Sequence, residues 1–205
     1  MQLFGSDGFR SEFGSNFMTL ECLYKFIQAL SSWVKYSSLN KPVMIAMDTR
    51  SSGLVVRNLF VSVLTYRGID VLDVGVVPSP GISKLLALND AALGIMITAS
   101  HNPWKDNGIK LFSSEGKKFR SEWEANIEER LKSQKFSAEP SKRLGQVFYL
   151  RNAFKIYVDS VLLGQRLETG GSKVLIDCAN GAFSQLKEAI DGNSRIGFCN
   201  FSPNG

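Results

Sequence analysis

Ala92-Leu93-Gly94-Ile95-Met96-Ile97, running straight into Thr98-Ala99-Ser100-His101-Asn102-Pro103, is the stretch on which the fold turns. A short apolar run that ends in small, hydroxyl-bearing residues reads as a buried strand handing its loop to the solvent. Three more runs of that kind are Val43 to Met47, Ile69 to Val74 and Ile109 to Phe112. Between them, Leu20, Leu23, Tyr24, Ile27, Leu30 and Val34 fall on one helical face, and Val55, Leu59, Phe60 and Val63 on another, with Ser51 or Ser52 as the expected cap of the second helix. Strands alternating with helices predict an α/β fold: a three-layer domain with a mostly parallel mixed sheet between helices.

Further along, Ser121-Glu122-Trp123-Glu124 has the capping-box pattern, and Trp123, Ile127 and Leu131 continue a helix from it. The chain then turns polar from Ser133 to Gly145, with Pro140 inside, which predicts the exit from a first domain spanning 1–145. Phe154, Tyr157, Val158, Val161 and Leu162 form another amphipathic pattern, and Thr169-Gly170-Gly171-Ser172 leads into Val174-Leu175-Ile176-Asp177. Asn180-Gly181-Ala182 follows as a strand-to-helix turn, with a helix expected through Ile190. One such unit cannot bury both faces of a sheet, so 151–205 is expected to be the beginning of a second, similar domain, incomplete as it stands.

At 205 residues and 44% hydrophobic, the chain can bury a sizeable core. No apolar run approaches the roughly 20 residues that cross a bilayer, and Ser6, Asp7 and Arg10 interrupt any secretory pattern, so no membrane partner is expected and a cytoplasmic setting is. Cys22, Cys178 and Cys199 are odd in number and far apart, which predicts isolated thiols rather than a disulfide framework or zinc knuckle. The net charge of +5 carries no dense basic run or interleaved aromatic stripe, so no nucleic-acid partner is expected. Instead Lys105, Lys110, Lys117, Lys118 and Arg120 outnumber Asp106 and Glu115 just after the serine loop, where an anionic small molecule would need them. Oligomeric state is not legible at this level.

In a parallel sheet, ligands bind beyond the carboxyl ends of the strands, which is where the Thr98 to Pro103 loop belongs. A serine hydroxyl is a weak nucleophile without a base, and His101 is both adjacent in sequence and the only histidine of the chain. A relay with a distant histidine, and a histidine-cluster metal site, are therefore ruled out on composition. What remains attractive is Ser100 as a phosphoryl carrier, holding about −1.5 to −2 charges near neutral pH, with Lys110 and Arg10 as candidate cations around it.

Thr98-Ala99-Ser100-His101-Asn102-Pro103, followed by Asp106-Asn107-Gly108-Ile109-Lys110, closely resembles the phosphoserine loop of the α-D-phosphohexomutases. The opening Phe4-Gly5-Ser6-Asp7-Gly8-Phe9-Arg10 looks like the start of the phosphoglucosamine mutase branch of that family. Asp48-Thr49-Arg50-Ser51-Ser52-Gly53, Gly75-Val76-Val77-Pro78-Ser79-Pro80 and Asp177-Cys178-Ala179-Asn180-Gly181-Ala182 are similar to further family segments, in the same order. The resemblance spans nearly the whole chain.

The resemblance implies an isomerase that moves a phosphoryl group between a phosphoserine and a hexose or hexosamine phosphate through a sugar bisphosphate. Sugar monophosphate and bisphosphate would be its partners and Mg²⁺ its cofactor. By the same analogy Ser100 carries the phosphoryl group and offers one phosphate oxygen to Mg²⁺; Arg10 and Lys110 flank it, Lys110 as general acid/base because burial readily shifts an ammonium; and His101 and Asn102 shape the loop or bond the phosphate. Glucosamine 6-phosphate to glucosamine 1-phosphate, a step toward amino-sugar nucleotides and cell-wall precursors, is the implied reaction. Phosphomannomutase or phosphoglucomutase activity, and a naturally truncated binding or scaffolding protein that keeps the first domain, are the alternatives. Departures exist: Phe9 stands where the family has Ile, and Ser11 where it often has Gly. The family's Asp-Gly-Asp-Gly-Asp-Arg metal loop, sugar-selecting loop and distal phosphate loop have no counterpart, and neither Asp177 nor Asp191 supplies that spacing. The chain is therefore expected to behave as an N-terminal fragment, inactive alone, since Mg²⁺ demands near-octahedral oxygen coordination.

Overall fold

A computed structural model describes residues 3–5, 7–37, 40–133, 141–163, 170–190 and 196–201. Ser6, the 134–140 part of the expected interdomain stretch with Pro140, Thr169 and Asp191 lie outside these described residues. In chain order the elements are β1 (Phe9–Glu12), a 3-10 turn at Asn16–Met18, α1 (Leu20–Tyr36), β2 (Val43–Met47), α2 (Ser51–Tyr66), β3 (Val71–Val76), α3 (Ser79–Leu88), β4 (Leu93–Ile97), β5 (Asp106–Ser113), α4 (Ser121–Ser133), β6 (Val147–Tyr149), α5 (Ala153–Leu162), β7 (Val174–Asp177), α6 (Leu186–Ala189) and β8 (Ile196–Cys199).

The first six strands make one sheet in the order β1-β5-β4-β2-β3-β6. Strands β4, β2, β3 and β6 run parallel, while β5 returns antiparallel to β4 and β1 antiparallel to β5. The chain is thus α/β, with a mixed, mostly parallel sheet between helices. Both faces are covered, which is why the central strands are apolar at every position rather than alternating. Val43 and Ile45 of β2 pack with α1, α2 and α4, and their neighbours Met44 and Ala46 pack on the other side with α3 and α5.

Two helical faces are rotated from the expected ones. In α2 the buried side chains are Val56, Phe60, Val63 and Leu64, with Leu59 partly buried, whereas Val55 is 45% exposed. In α1, Leu23, Phe26, Ile27, Leu30, Trp33 and Val34 are buried, and Leu20 and Tyr24 face outward. Leu54-Val55-Val56 offers three apolar steps in a row, so periodicity alone cannot choose among them; contact with α1 does. Neither Ser51 nor Ser52 caps α2: Arg50 is the N-cap, without a side-chain cap bond. At α4 the backbone N–H of Glu124 donates to the Arg120 carbonyl, so the helix starts one residue earlier than the capping-box pattern implies.

Phe9, one of the two departures noted in the sequence, is buried in an aromatic cluster, edge-to-face with Phe4, Phe17 and Phe26. Such edge-to-face contacts favour a phenylalanine here over an aliphatic side chain.

Past residue 145 the first sheet still gains β6, which pairs in parallel with β3, and α5 packs against α3. β7 and β8 then form a separate two-stranded parallel sheet. The expected helix toward Ile190 is short, with Ile190 itself the C-cap of α6.

Candidate functional site

β3 and β4 lie on opposite sides of β2, so the chain direction across the sheet reverses there. Loops leaving the carboxyl ends of β2 and β4 diverge at such a point and open a crevice for ligands. Asp48-Thr49-Arg50 leaves β2 and Thr98-Ala99-Ser100 leaves β4, and the backbone N–H of Asp48 donates to the Ile97 carbonyl at 3.1 Å, keeping the two loops side by side.

Asp48 and Arg50 form the frame of this crevice. The Asp48 carboxylate accepts from the Arg50 backbone N–H and Nε, both at 3.0 Å, and from Thr98 Oγ1 at 2.6 Å. Arg50 Nη1 donates to the carbonyls of Pro103 (2.6 Å) and Asp106 (2.9 Å), and Nη2 to those of Ser100 (2.9 Å) and Asn102 (2.8 Å). Thr98 Oγ1 in turn accepts the Ser100 N–H at 2.9 Å. Ser100 sits in the left-handed region at φ 58, with its side chain exposed.

The expected site residues fall into two groups. Ser100 and His101 are together, Oγ to Nδ1 at 3.5 Å, a long contact between exposed groups. Arg10 reaches Asn102, Nη1 to Oδ1 at 3.5 Å, and Asn102 Nδ2 donates to Asp106 Oδ2 at 2.9 Å. Lys110, with a side chain only 10% exposed, donates from Nζ to Asp7 Oδ2 at 2.5 Å, and Arg10 Nη2 lies 3.7 Å from the same oxygen. Lys110 and Arg10 therefore meet at Asp7, a residue that sequence reasoning quoted but did not place in the site. Antiparallel pairing of β1 with β5 brings them together, since Arg10 opposes Gly108 and Phe9 opposes Ile109.

The basic residues after the serine loop are not one patch. Lys105 pairs with Glu12, Lys117 with Glu115, and Arg120 lies over the Trp123 ring. β5 carries the chain from Asp106 to Ser113 before Lys117 is reached, which at about 3.3 Å per residue puts that end roughly 20 Å from the site. Of this set Lys110 turns into the site, and after the hairpin turn Lys118 pairs back against Phe112.

The turn after β7 also reaches the site. Ala179 and Asn180 are both left-handed, and the Asn180 carbonyl accepts from Thr49 Oγ1 at 2.6 Å. Asp177 stabilises that turn by accepting from the N–H groups of Ala179 and Phe201, and these bonds hold its carboxyl below the usual range.

Among the described residues no three His, Cys, Asp or Glu side chains cluster as metal ligands. The residues present do not by themselves fit Mg²⁺, which needs about six oxygens in near-octahedral array. Among the described residues, no helix is long and apolar enough to cross a membrane. The three cysteines are free thiols.

A three-layer α/β/α domain with polar loops gathered at the reversal point of its sheet belongs to the doubly wound class that binds small ligands at that edge. The chain belongs to the phosphoglucomutase/phosphomannomutase family: residues 1–138 match "Phosphoglucomutase/phosphomannomutase, alpha/beta/alpha domain I". It is 37% identical over 202 residues to a phosphoglucosamine mutase of Francisella tularensis, covering 98% of this chain and 45% of that relative. Among solved structures it is similar to a phosphoglucomutase/phosphomannomutase family protein of Burkholderia thailandensis, with a TM-score of 0.76 at 22% identity over 98% of this chain and 43% of that one. A putative phosphomannomutase of Thermus thermophilus gives 0.74 at 23% identity, over 98% and 46%. The chain thus spans less than half the length of these relatives.

Proposed function

We propose that this chain supplies the phosphoryl-carrying half of a phosphohexomutase site, with Ser100 as the carrier. The observation that carries the reading is the exposure of the Ser100 hydroxyl, which has His101 Nδ1 3.5 Å away. Its backbone is tied on both sides, its side chain points to solvent, and the cations Lys110 and Arg10 stand on the adjacent strands around a single carboxylate.

In the reaction this implies, the P–Oγ bond of phosphoserine breaks as the free hydroxyl oxygen of a sugar monophosphate bonds to phosphorus. The proton of that hydroxyl passes by way of the Lys110–Asp7 pair to Ser100 Oγ as it leaves phosphorus. In the second half the Ser100 hydroxyl gives a proton up as it bonds to the other phosphorus, and the released sugar oxygen takes one. Phosphoryl transfer asks a protein mainly for position and charge. Lys110 and Arg10 are held by Asp7 in a geometry from which an incoming phosphoryl group can draw them. His101 lies beside the serine, and Asn102 already links Arg10 to Asp106. A phosphate oxygen on Ser100 would be one Mg²⁺ ligand, and no step here runs through the metal. Glucosamine phosphate is the preferred sugar, because relatives 37% and 39% identical to this chain are phosphoglucosamine mutases. A cytoplasmic setting goes with such a substrate.

Incubation with glucosamine 1,6-bisphosphate and Mg²⁺, followed by intact mass and peptide mapping, tests this. The expected result is one phosphate on Ser100, absent in Ser100→Ala, with no net mutase turnover by the 205-residue protein. Phosphate on another residue, or none, would sink the reading, and sustained turnover would show that no further ligands are needed.

A further inference from the structure

The geometry points to Arg50 as the positioning residue of the Ser100 loop, an inference that rests on the phosphoserine reading. A guanidinium has five N–H donors in one plane. Here all five are engaged: one on Asp48, and two from each terminal nitrogen on the carbonyls of Pro103, Asp106, Ser100 and Asn102. Four carbonyls from a stretch of seven residues point at one cation, an arrangement their mutual repulsion would otherwise open. The Arg50 side chain is 9% exposed and that of Asp48 13%, so water competes poorly for these bonds.

Both halves of Ser100 lead back to this pair. Its carbonyl accepts directly from Arg50, and its N–H donates to Thr98 Oγ1, whose own hydroxyl is held by Asp48. Ser100 carries a β-carbon at φ 58, a conformation that persists only where the surroundings over-determine it. Arg50 and Asp48 provide that determination through the backbone alone, and they leave Oγ exposed with only the long His101 contact beside it. The positive charge of Arg50 is used on the loop itself, so it acts through Ser100 rather than on the phosphoryl group. Lysine could not replace it, because three tetrahedral donors cannot reach the same five acceptor directions.

The test compares wild type, Arg50→Lys and Arg50→Ala in two measurements: the rate at which Ser100 is phosphorylated by glucosamine 1,6-bisphosphate, and hydrogen exchange of the Ser100, Asn102 and Asp106 amides. The expected outcome is a fall of about 100-fold in phosphorylation rate for both variants, the scale of a 1 Å misplacement. Those three amides should exchange faster while amides of β2 and β4 and the melting temperature stay put. If Arg50→Ala does not fold, Arg50→Lys alone decides. Arg50→Lys phosphorylated at the wild-type rate, or unchanged loop exchange, overturns the inference. So does loosening that extends through β2 and β4, which would make Arg50 a general stabiliser. A wild type that takes no phosphate on Ser100 overturns the phosphoserine reading, and the inference with it.

Discussion

Gly8 shows how one backbone position holds the cations of the site. Its φ is +82, and a β-carbon there would lie 2.1 Å from the Ile109 carbonyl oxygen. Gly8→Ala must therefore push β1 away from β5, and with it Arg10 from Asn102 and Asp7 from Lys110. We expect a loss of about 2–3 kcal/mol, read by urea denaturation, together with slower phosphorylation of Ser100; a stable, fully labelled Gly8→Ala would refute this. At the same scale, Ser100, His101, Asn102, Arg10 and Lys110 could be nominated because hydroxyl, imidazole and cations advertise their chemistry. Asp7 and Arg50 could not, since an acid beside a turn and an arginine at a helix start read as ordinary surface charges. The signals available were the family-like segments that contain them and the position of Asp48-Thr49-Arg50 at the carboxyl end of a predicted strand.

Among the helices, α4 makes a prediction through Glu124. This residue is 8% exposed, and burial raises its carboxyl above the ordinary value of 4.5, with Glu128 and Asp7 adding to the rise and Lys118 opposing it. A raised pKa means the folded state binds the proton more tightly than the unfolded chain. The favourable contribution is therefore complete below pH 4.5 and is lost as pH rises through the folded value. Glu124→Gln should melt higher than wild type at pH 7, with the difference shrinking below pH 4.5; an equal or lower melting temperature at pH 7 would contradict it. Element by element, β2, β4, α1 and β7 were legible from apolar runs and periodicity. The bounds of β3 and β5 shifted and β6 was missed, because Val147-Phe148-Tyr149 is only three residues long, too short a run to stand out; its backbone pairing with β3 makes it a strand. Helix rotation was equally hidden, since Leu54, Val55 and Val56 compete for one buried position and only the neighbouring helix settles it.

Across the whole molecule, α5 closes the second face of the sheet. Phe154 is buried there, edge-to-face with Tyr157 and Phe183, so it joins α5 to the segment after β7. Phe154→Ala should cost about 3 kcal/mol or more and expose the face formed by Met44, Val74 and Leu85, detectable as dye binding; a cost below 1 kcal/mol, by the scale of tolerated surface changes, would show that α5 is not part of this core. At this scale several of the basic side chains are neutralised in local pairs, Lys105 with Glu12, Lys117 with Glu115 and Lys155 with Asp159. The amino-acid sequence by itself determined the α/β class, the serine loop at a strand end and the family, because apolar runs, helical periodicity and motif order are local properties of the chain. Tertiary structure alone decided that Lys110 and Arg10 meet at Asp7, that Thr49 touches the turn at Asn180, and that one guanidinium gathers the Ser100 loop. Those contacts join residues from about 50 to more than 100 positions apart, apart from the short Arg10–Asp7 pair. Their formation depends on how strands cross in the sheet, which no local pattern encodes.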